Sequence, residues 1–441
     1  MRVGAIRWWG SIDEGFARTL RLCLRLLLPL LAVAPAPADG FRVYVGALSP
    51  RSVLLAWGTT DGPGNTIGRQ SQSHGSALVR VGERQDQTRQ NWILIEGLEP
   101  DTEYRYEVKL GANEAPKGKV RTYPERAERL SFLVIGDYGN GRRAQYRIAE
   151  QMWREFERKA ATPSPVRFVL TTGDNIYADG RLGYLLRNTG DQDRHWERKF
   201  FRPYERLLRS IPFHPSPGNH DGDSSENRAD LTVYLDNFFF PGSQPRRWYS
   251  LSYGGLADFF ALDTTNNTEA GESGPVYLPG GQQHRWLEER LRESKARWKI
   301  PYFHHPPFTA GPHHRPNLEA VGHFCEAFAR QGVKVAFSGH EHNFQYTSQQ
   351  PATAGIRYVV TGAGGQQRGG RVLRRMRDAS IEGWSPQTHF LSVEIEGLEL
   401  RITPLSYEPV IVRNSRGSRE QMPLVVRLED SQQPGAKAVS P

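Results

Sequence analysis

The sequence predicts an all-β sandwich near the N-terminus and, after it, a larger α/β layered domain. Three observations carry this. The chain has 441 residues, 38% hydrophobic and 24% charged, which suits a soluble protein with more than one core. Up to about residue 123, short strand-like runs alternate with turn residues. From Leu130, short apolar runs alternate with amphipathic helical stretches, the pattern of layered α/β folds.

Residues 1–38 read as an export signal. Arg18, Arg21 and Arg25 precede an apolar run over 26–34, and Ala36-Pro37-Ala38 offers a small-residue cleavage site before Asp39. The run is about half the roughly 20 residues a spanning helix needs, so no membrane span is expected in the mature chain. No twin-Arg pair precedes the run, which points to the general secretory route and to a periplasmic or secreted product. The segment carries five Arg and two acidic residues, so the formal net charge of +9 falls to near +6 without it. A mildly basic balance suits phosphorylated or acidic substrates. The Arg residues are dispersed and no nucleic-acid-binding motif is present. Of the two cysteines, Cys23 lies in the signal, which leaves Cys325 without an intramolecular disulfide partner. Leu318, Val321, Cys325 and Phe328 follow a helical spacing that packs Cys325 as a small hydrophobe.

The sandwich is expected over 39–123. Its strand-like runs include 41–45, 52–57 and 92–95, and Trp57 is a candidate core residue. The turn segment from Gly97 to Tyr104 feeds an alternation of Tyr104, Tyr106 and Val108. This resembles the tyrosine-corner region of a fibronectin type III-like sandwich. A linker is expected near residues 121–125. The α/β domain is expected over 128–428. It includes one helix carrying Ala144, Ile148, Met152 and Phe156, another carrying Trp286, Leu287 and Leu291, and strands over 390–402 around a Gly397 turn. Residues 429–441 read as a disordered tail.

Within the α/β part, five apolar runs each end in a cluster of candidate metal ligands. Residues 132–135 lead to Gly136-Asp137-Tyr138-Gly139, and 168–171 to Gly173-Asp174-Asn175-Ile176-Tyr177. Residues 211–217 lead to Gly218-Asn219-His220-Asp221, 300–303 to His304-His305-Pro306-Pro307, and 333–337 to Gly339-His340-Glu341-His342. Layered α/β folds bind ligands at the carboxyl ends of their strands. Glycine at such a turn lets the backbone swing the next side chain over the sheet edge. One such cluster alone is an ordinary turn; five in series would leave many buried polar groups without a purpose unless they served one site.

These clusters resemble the five-block signature of the calcineurin-like metallophosphoesterases. Asp137-x-Gly139, where the broader superfamily has Asp-x-His, together with Tyr177 three residues after Asp174, is similar to the purple acid phosphatase branch. Gly339-His340-Glu341-His342-Asn343 followed by Gln345-Tyr346 resembles the small animal-type enzymes, and the preceding sandwich resembles the plant type. The resemblance covers about 130–405. It implies a layered α-β-β-α domain and an acid phosphatase with two metal ions, Fe(III) plus Zn, Mn or Fe(II), hydrolysing phosphomonoesters with a water activated between the metals. It implies that Asp174 bridges the ions, that Asp137, Tyr177 and His342 complete one site, and that Asn219, His304 and His340 complete the other. The donor chemistry is consistent: carboxylates and a phenolate suit a trivalent ion, while imidazoles and an amide oxygen suit a divalent one. A Tyr177–Fe(III) bond would colour the protein.

The resemblance further implies that His220 faces the phosphate and that His313 or His314 assists the leaving group. The ligand in the fourth block is expected to be His304 rather than His305. Asp221 is expected to orient a neighbour, and Asp263 to be structural. His195, His214, His284 and His323 are expected at the surface or in packing. Arg368, Arg371, Arg374, Arg375 and Arg377 follow the Gly-rich turn at 362–365, either as a solvated loop or as a basic rim to the site. Two other functions stand as alternatives: a phosphodiesterase or nucleotidase with the same metal pair, and a non-catalytic surface binding protein, which would be expected to have eroded ligands.

Overall fold

The computed structural model describes residues 41–59, 76–110, 117–178, 196–222, 231–240, 246–266, 275–370 and 372–429. The expected export signal, His195, Arg371 and residues 430–441 of the expected tail lie outside them.

The first part is all-β: β1 (Phe41–Leu48), β2 (Ser52–Thr59), β3 (Ala77–Val81), β4 (Arg84–Thr88), β5 (Trp92–Glu96), β6 (Glu103–Leu110) and β7 (Lys117–Arg121). They form two antiparallel sheets, ordered β1-β2-β5 and β4-β3-β6-β7. In β3, Ala77, Val79 and Val81 are buried while Arg80 is exposed, the alternation of a sheet with one face on a core. Trp57 is buried, as expected. The Glu99 N–H donates to the Tyr104 hydroxyl oxygen at 2.8 Å, closing the turn that leads into β6.

Residues 121–125, read as a linker, are instead a packed joint. Thr122 and Tyr123 are buried. The Tyr123 ring lies 5.2 Å from that of Tyr253, and the Arg167 guanidinium donates to the Thr122 carbonyl. Elsewhere along the contact, Arg42 Nη2 meets Glu197 Oε1 at 2.6 Å. The Tyr44 hydroxyl donates to Asn237 O at 2.9 Å and the Tyr106 hydroxyl to Arg209 O at 2.7 Å. The two parts therefore share one continuous hydrophobic cluster.

The second part runs β8 (Arg129–Ile135), α1 (Arg143–Ala160), β9 (Val166–Thr172), α2 (Arg202–Leu208), β10 (Phe213–Ser216), α3 (Thr232–Asn237), β11 (Tyr249–Tyr253), β12 (Ala257–Ala261) and α4 (Gln282–Glu293). It continues β13 (Trp298–Tyr302), α5 (Leu318–Arg330), β14 (Val335–Ser338), β15 (Phe344–Thr347), β16 (Arg357–Thr361), α6 (Leu373–Met376), β17 (Ile381–Ser385), β18 (Phe390–Glu396), β19 (Glu399–Leu405) and β20 (Leu424–Arg427). One sheet is ordered β10-β9-β8-β18-β19-β20 and the other β11-β12-β13-β14-β16-β15-β17. In the first, β8, β9 and β10 are parallel; in the second, β12, β13, β14 and β16 are parallel.

The side chains set the layers. Phe132 of β8 packs edge-on against Phe259 of β12 at 5.2 Å and Phe337 of β14 at 6.4 Å, so aromatic rings fill the space between the sheets. The alternate residues Phe260, Ala336 and Tyr358 face the other way and meet Leu287 and Leu291 of α4 and Val321, Phe324 and Phe328 of α5. On the opposite sheet, α1 buries Ile148 and Met152 of its expected stripe together with Ala149, while Ala144 and Phe156 are half-buried. The result is an α-β-β-α sandwich of layers. Cys325 packs partly buried against the α4–α5 cluster, as expected. Leu318 does not join it: it is exposed in the first turn of α5, where Asn317 caps the helix by accepting from the Ala320 N–H at 3.1 Å.

Candidate metal centre

The five predicted ligand loops open at the carboxyl ends of β8, β9, β10, β13 and β14. Asp137, Asp174, His304 and His340 each stand two residues beyond their strand, and Asn219 three residues beyond β10. Asp137, Asp174 and His340 have φ values of 56°, 50° and 66°, a left-handed backbone uncommon outside glycine. The turns are tight enough that a Cβ on Gly173 would lie 2.5 Å from His304 Nδ1.

All seven residues converge, in two sets. In the first, the Tyr177 hydroxyl lies 2.8 Å from Asp174 Oδ2, 3.1 Å from Asp137 Oδ1 and 3.3 Å from His342 Nε2. His342 Nε2 is 3.2 Å from Asp137 Oδ1. In the second, His304 Nε2 lies 3.0 Å from Asn219 Oδ1, 3.2 Å from His340 Nδ1 and 3.4 Å from Asp174 Oδ1. Asp174 thus gives one carboxylate oxygen to each set. Backbone N–H groups hold the carboxylates in place: His220 N donates to Asp174 Oδ1 and His340 N to Asp137 Oδ2, both at 2.9 Å.

The donor sets suit cations. Nδ1 of His304 donates to the Thr172 carbonyl at 2.8 Å, so its Nε2 presents a lone pair to two other acceptor oxygens. Burial, followed by the neighbouring imidazoles, depresses the basicity of His340. Burial and then the Arg368 charge bring His342 down to about 3, and burial also lowers His304. The imidazoles are thereby held neutral, the form that binds metal. Burial and then Asp174 raise the Asp137 carboxyl, and burial followed by Asp137 and Asp174 raises the Tyr177 phenol. Burial also works against the charge on Asp174, but nearby His304 and His220 and the hydrogen bonds from the His220 N–H and the Tyr177 hydroxyl bring it down to about 2. Acceptors crowded together out of water repel one another unless positive charge lies between them. There is no sulfur among them.

Residues 130–344 match the family model of the calcineurin-like phosphoesterases. This segment is a calcineurin-like phosphoesterase domain. The chain is 27% identical over 292 residues to purple acid phosphatase 3 of Arabidopsis thaliana, covering 62% of this chain and 73% of that one. It is 26% identical over 249 residues to the mouse tartrate-resistant acid phosphatase type 5, covering 53% and 72%. It is 25% identical over 337 residues to an uncharacterised protein of Mycobacterium tuberculosis, covering 70% of this chain but only 62% of the relative's length. In fold it is similar to the solved structure of PhoD, with TM-score 0.61 at 16% identity over 90% of this chain and 93% of that one. It is also similar to the purple acid phosphatase PPD1 of yellow lupin seeds, with TM-score 0.62 at 15% identity over 88% and 74%.

Around the ligand cluster of the phosphoesterase domain, the predicted outer residues separate. His220 is half-buried, its ring 4.6 Å from that of Tyr177. His314 lies over His340, with ring centroids 3.9 Å apart. His313, expected at the site, is exposed, and its Nε2 donates to Gly369 O at 2.8 Å; among the described residues no contact ties it to the seven candidate ligands. The cause is Glu341, which the sequence reading left without a role. Its buried carboxylate accepts both backbone N–H groups, His314 at 2.7 Å and His313 at 3.3 Å, and this turns the two side chains apart. His305 Nδ1 pairs with Thr264 Oγ1 at 3.1 Å, beside the cluster, its ring 4.5 Å from that of His340.

Asp221 is fully buried and accepts from Gly218 N at 2.7 Å, Asn175 Nδ2 at 2.8 Å and Ile176 N at 3.1 Å, tying the β10 loop to the Asp174 loop. Asn175 is a second residue that sequence reasoning missed: its Oδ1 also accepts from the Tyr138 hydroxyl at 2.9 Å. Asp263 forms a buried ion pair with Arg247 at 2.7 Å. His214 is buried against Phe168, and His284 packs on His323. No helix among the described residues is long and apolar enough to cross a membrane.

Proposed function

We propose that this protein is an exported phosphoesterase that hydrolyses phosphomonoesters to an alcohol and inorganic phosphate at a pair of metal ions. One observation carries the reading: the two oxygens of Asp174 face two separate, complete donor sets. Asp137, Tyr177, His342 and Asp174 would hold Fe(III); Asn219, His304, His340 and Asp174 would hold Zn, Mn or Fe(II). Such a pair of ions, when bound, clamps a phosphate and acidifies water, here toward activity at acidic pH. The residues do the rest. The Thr172 carbonyl keeps the His304 proton on Nδ1 and leaves Nε2 for the ion. His220, held beside Tyr177, donates to a phosphate oxygen, where negative charge grows. His314, above His340, supplies, in the imidazolium form it takes at acidic pH, the proton that the departing alkoxide takes up. Export rests on the apolar run and the Ala36–Ala38 cleavage site alone.

The test is metal analysis with a visible spectrum on purified protein beside Tyr177→Phe. Bound iron and a broad band that vanishes in the variant are expected. Two divalent ions without colour would remove the iron assignment, and a reconstituted protein that takes up no stoichiometric metal would overturn the reading.

A further inference from the structure

The basic stretch after the Gly-rich turn is anchored rather than free. Gln367 Nε2 donates to Pro386 O at 3.0 Å, and Gly369 O accepts from His313 Nε2 at 2.8 Å. Gly370 lies so close to the Pro312 ring that a Cβ there would stand 2.1 Å from Pro312 Cγ. Beyond it, Val372 and Met376 are fully buried with Ala310 and Trp384. Arg368 sits between the first two anchors, exposed, with Nη1 3.4 Å from His314 Nε2. A guanidinium only donates, so it occupies the lone pair of His314 and keeps its other N–H groups for another acceptor. Among the described residues no carboxylate lies within salt-bridge distance of Arg368. Its charge is nonetheless felt at His342 and Glu341. Arg375 lines the same rim, with Nη1 3.3 Å from where a Gly311 Cβ would be.

We infer that Arg368 is a specificity residue that binds a second anionic group adjacent to the reacting phosphate, so that the site selects phosphoanhydrides and esters with a neighbouring phosphate over simple monoesters. This rests on the metal-centre reading above. The geometry separates the two binding positions. The His314 ring lies tilted over that of His340, centroids 3.9 Å apart, and Arg368 lies on the far side of the His314 contact, one imidazole further from the candidate ligands. Arginine's planar fork of donors matches a phosphate. His313 then acts as a positioning residue, because its hydrogen bond to Gly369 O fixes the segment that carries Arg368.

The experiment is calorimetric titration of the metal-loaded full chain with inorganic phosphate and with methylenediphosphonate, which is not hydrolysed. The wild type is compared with Arg368→Gln, Arg368→Lys and His313→Ala. Arg368→Gln is expected to weaken the diphosphonate about tenfold and phosphate less than roughly threefold, the loss of one charge-assisted contact at the outer position. Arg368→Lys should recover part of the difference, and His313→Ala should lower the same ratio. A ratio unchanged in Arg368→Gln, or an equal loss for both ligands, overturns the assignment while leaving the metal centre standing. If the wild type binds neither ligand, the metal-centre reading falls and takes this inference with it.

Discussion

Gly139 stands where the resemblance to the broader superfamily would usually place a histidine, and the structure shows what fills that space. A Cβ at 139 would lie 1.8 Å from Asn175 O, 2.5 Å from Asn175 C and 2.7 Å from Ile176 Cα. All three are backbone atoms of the segment between Asp174 and Tyr177, and the Tyr177 N–H donates to Gly139 O at 2.8 Å. Gly139→Ala therefore cannot be absorbed by a rotamer change. To regain ordinary contact, the Asp174–Tyr177 loop must retreat by about 1.5 Å, whereas metal sites tolerate about 0.2 Å in a ligand distance. The loop resists, because Asn175 is bonded to Tyr138, Asp221 and Ser216 O. Overpacking of this kind costs about 1–3 kcal/mol, and two ligands of the first set are displaced together. The expected result is an unfolding free energy, from urea titration, lowered by that amount, with loss of the visible band and of one metal equivalent. Gly322→Ala is the comparison: it lies within α5 with only Leu318 Cβ near, at 3.9 Å, and should be neutral or stabilising by about 0.5–1 kcal/mol. Full metal content and an unchanged spectrum in Gly139→Ala would refute the steric argument.

Two further outcomes concern stability. His214 is buried, 3.3 Å from the Tyr123 hydroxyl, and burial brings its imidazole down to about 3. Below about pH 6.5 the unfolded chain takes up a proton that the folded chain refuses, so its contribution is present above that pH and lost as pH falls towards 3. His214→Gln should flatten unfolding free energy against pH by up to about 1.4 kcal/mol per unit in that window; parallel curves would refute it. Asp263→Ala removes the carboxylate from a guanidinium that is 3% exposed, and also strips acceptors from Thr265 N and its hydroxyl. It should cost about 3–5 kcal/mol by urea unfolding, and a loss under about 1 kcal/mol would show that the pair is dispensable.

The convergence of the five candidate-ligand loops was legible because their signal is local. Each is a short apolar run, a strand largely buried between layers, followed within three residues by a donor; only the pairing of loops across two sheets had to be inferred. What stayed hidden was set by partners far along the chain. His313 and His314 share one loop between Pro312 and Pro316, and nothing nearby says which faces the ligands. The choice is made by Glu341, 27 and 28 residues away, and by Gly369, 56 residues from His313. Residues 121–125 have the proline and charges of a linker, yet Thr122 and Tyr123 are buried because Arg167 and Tyr253 reach them from the α/β part. Leu318 obeys the helical period but sits in the first turn of α5, beyond the reach of the core.

The bare position at Gly139 and the placement of the Tyr177 phenol are one structural feature rather than two. A side chain at 139 and the backbone leading to Tyr177 compete for the same volume, so the phenol can reach Asp137 and Asp174 only when position 139 is bare. The resulting centre is costly in isolation. Three ligand residues take left-handed backbones, each disfavoured by about 1–3 kcal/mol, and two buried carboxylates approach one phenol. Hydrogen bonds accepted by Asp221 and Glu341, and made by Asn175, hold these loops together but do nothing for the opposed lone pairs. Positive charge on both sides of Asp174 would relieve those repulsions at once, which is the physical reason to propose that residues scattered from 137 to 342 serve one binuclear centre.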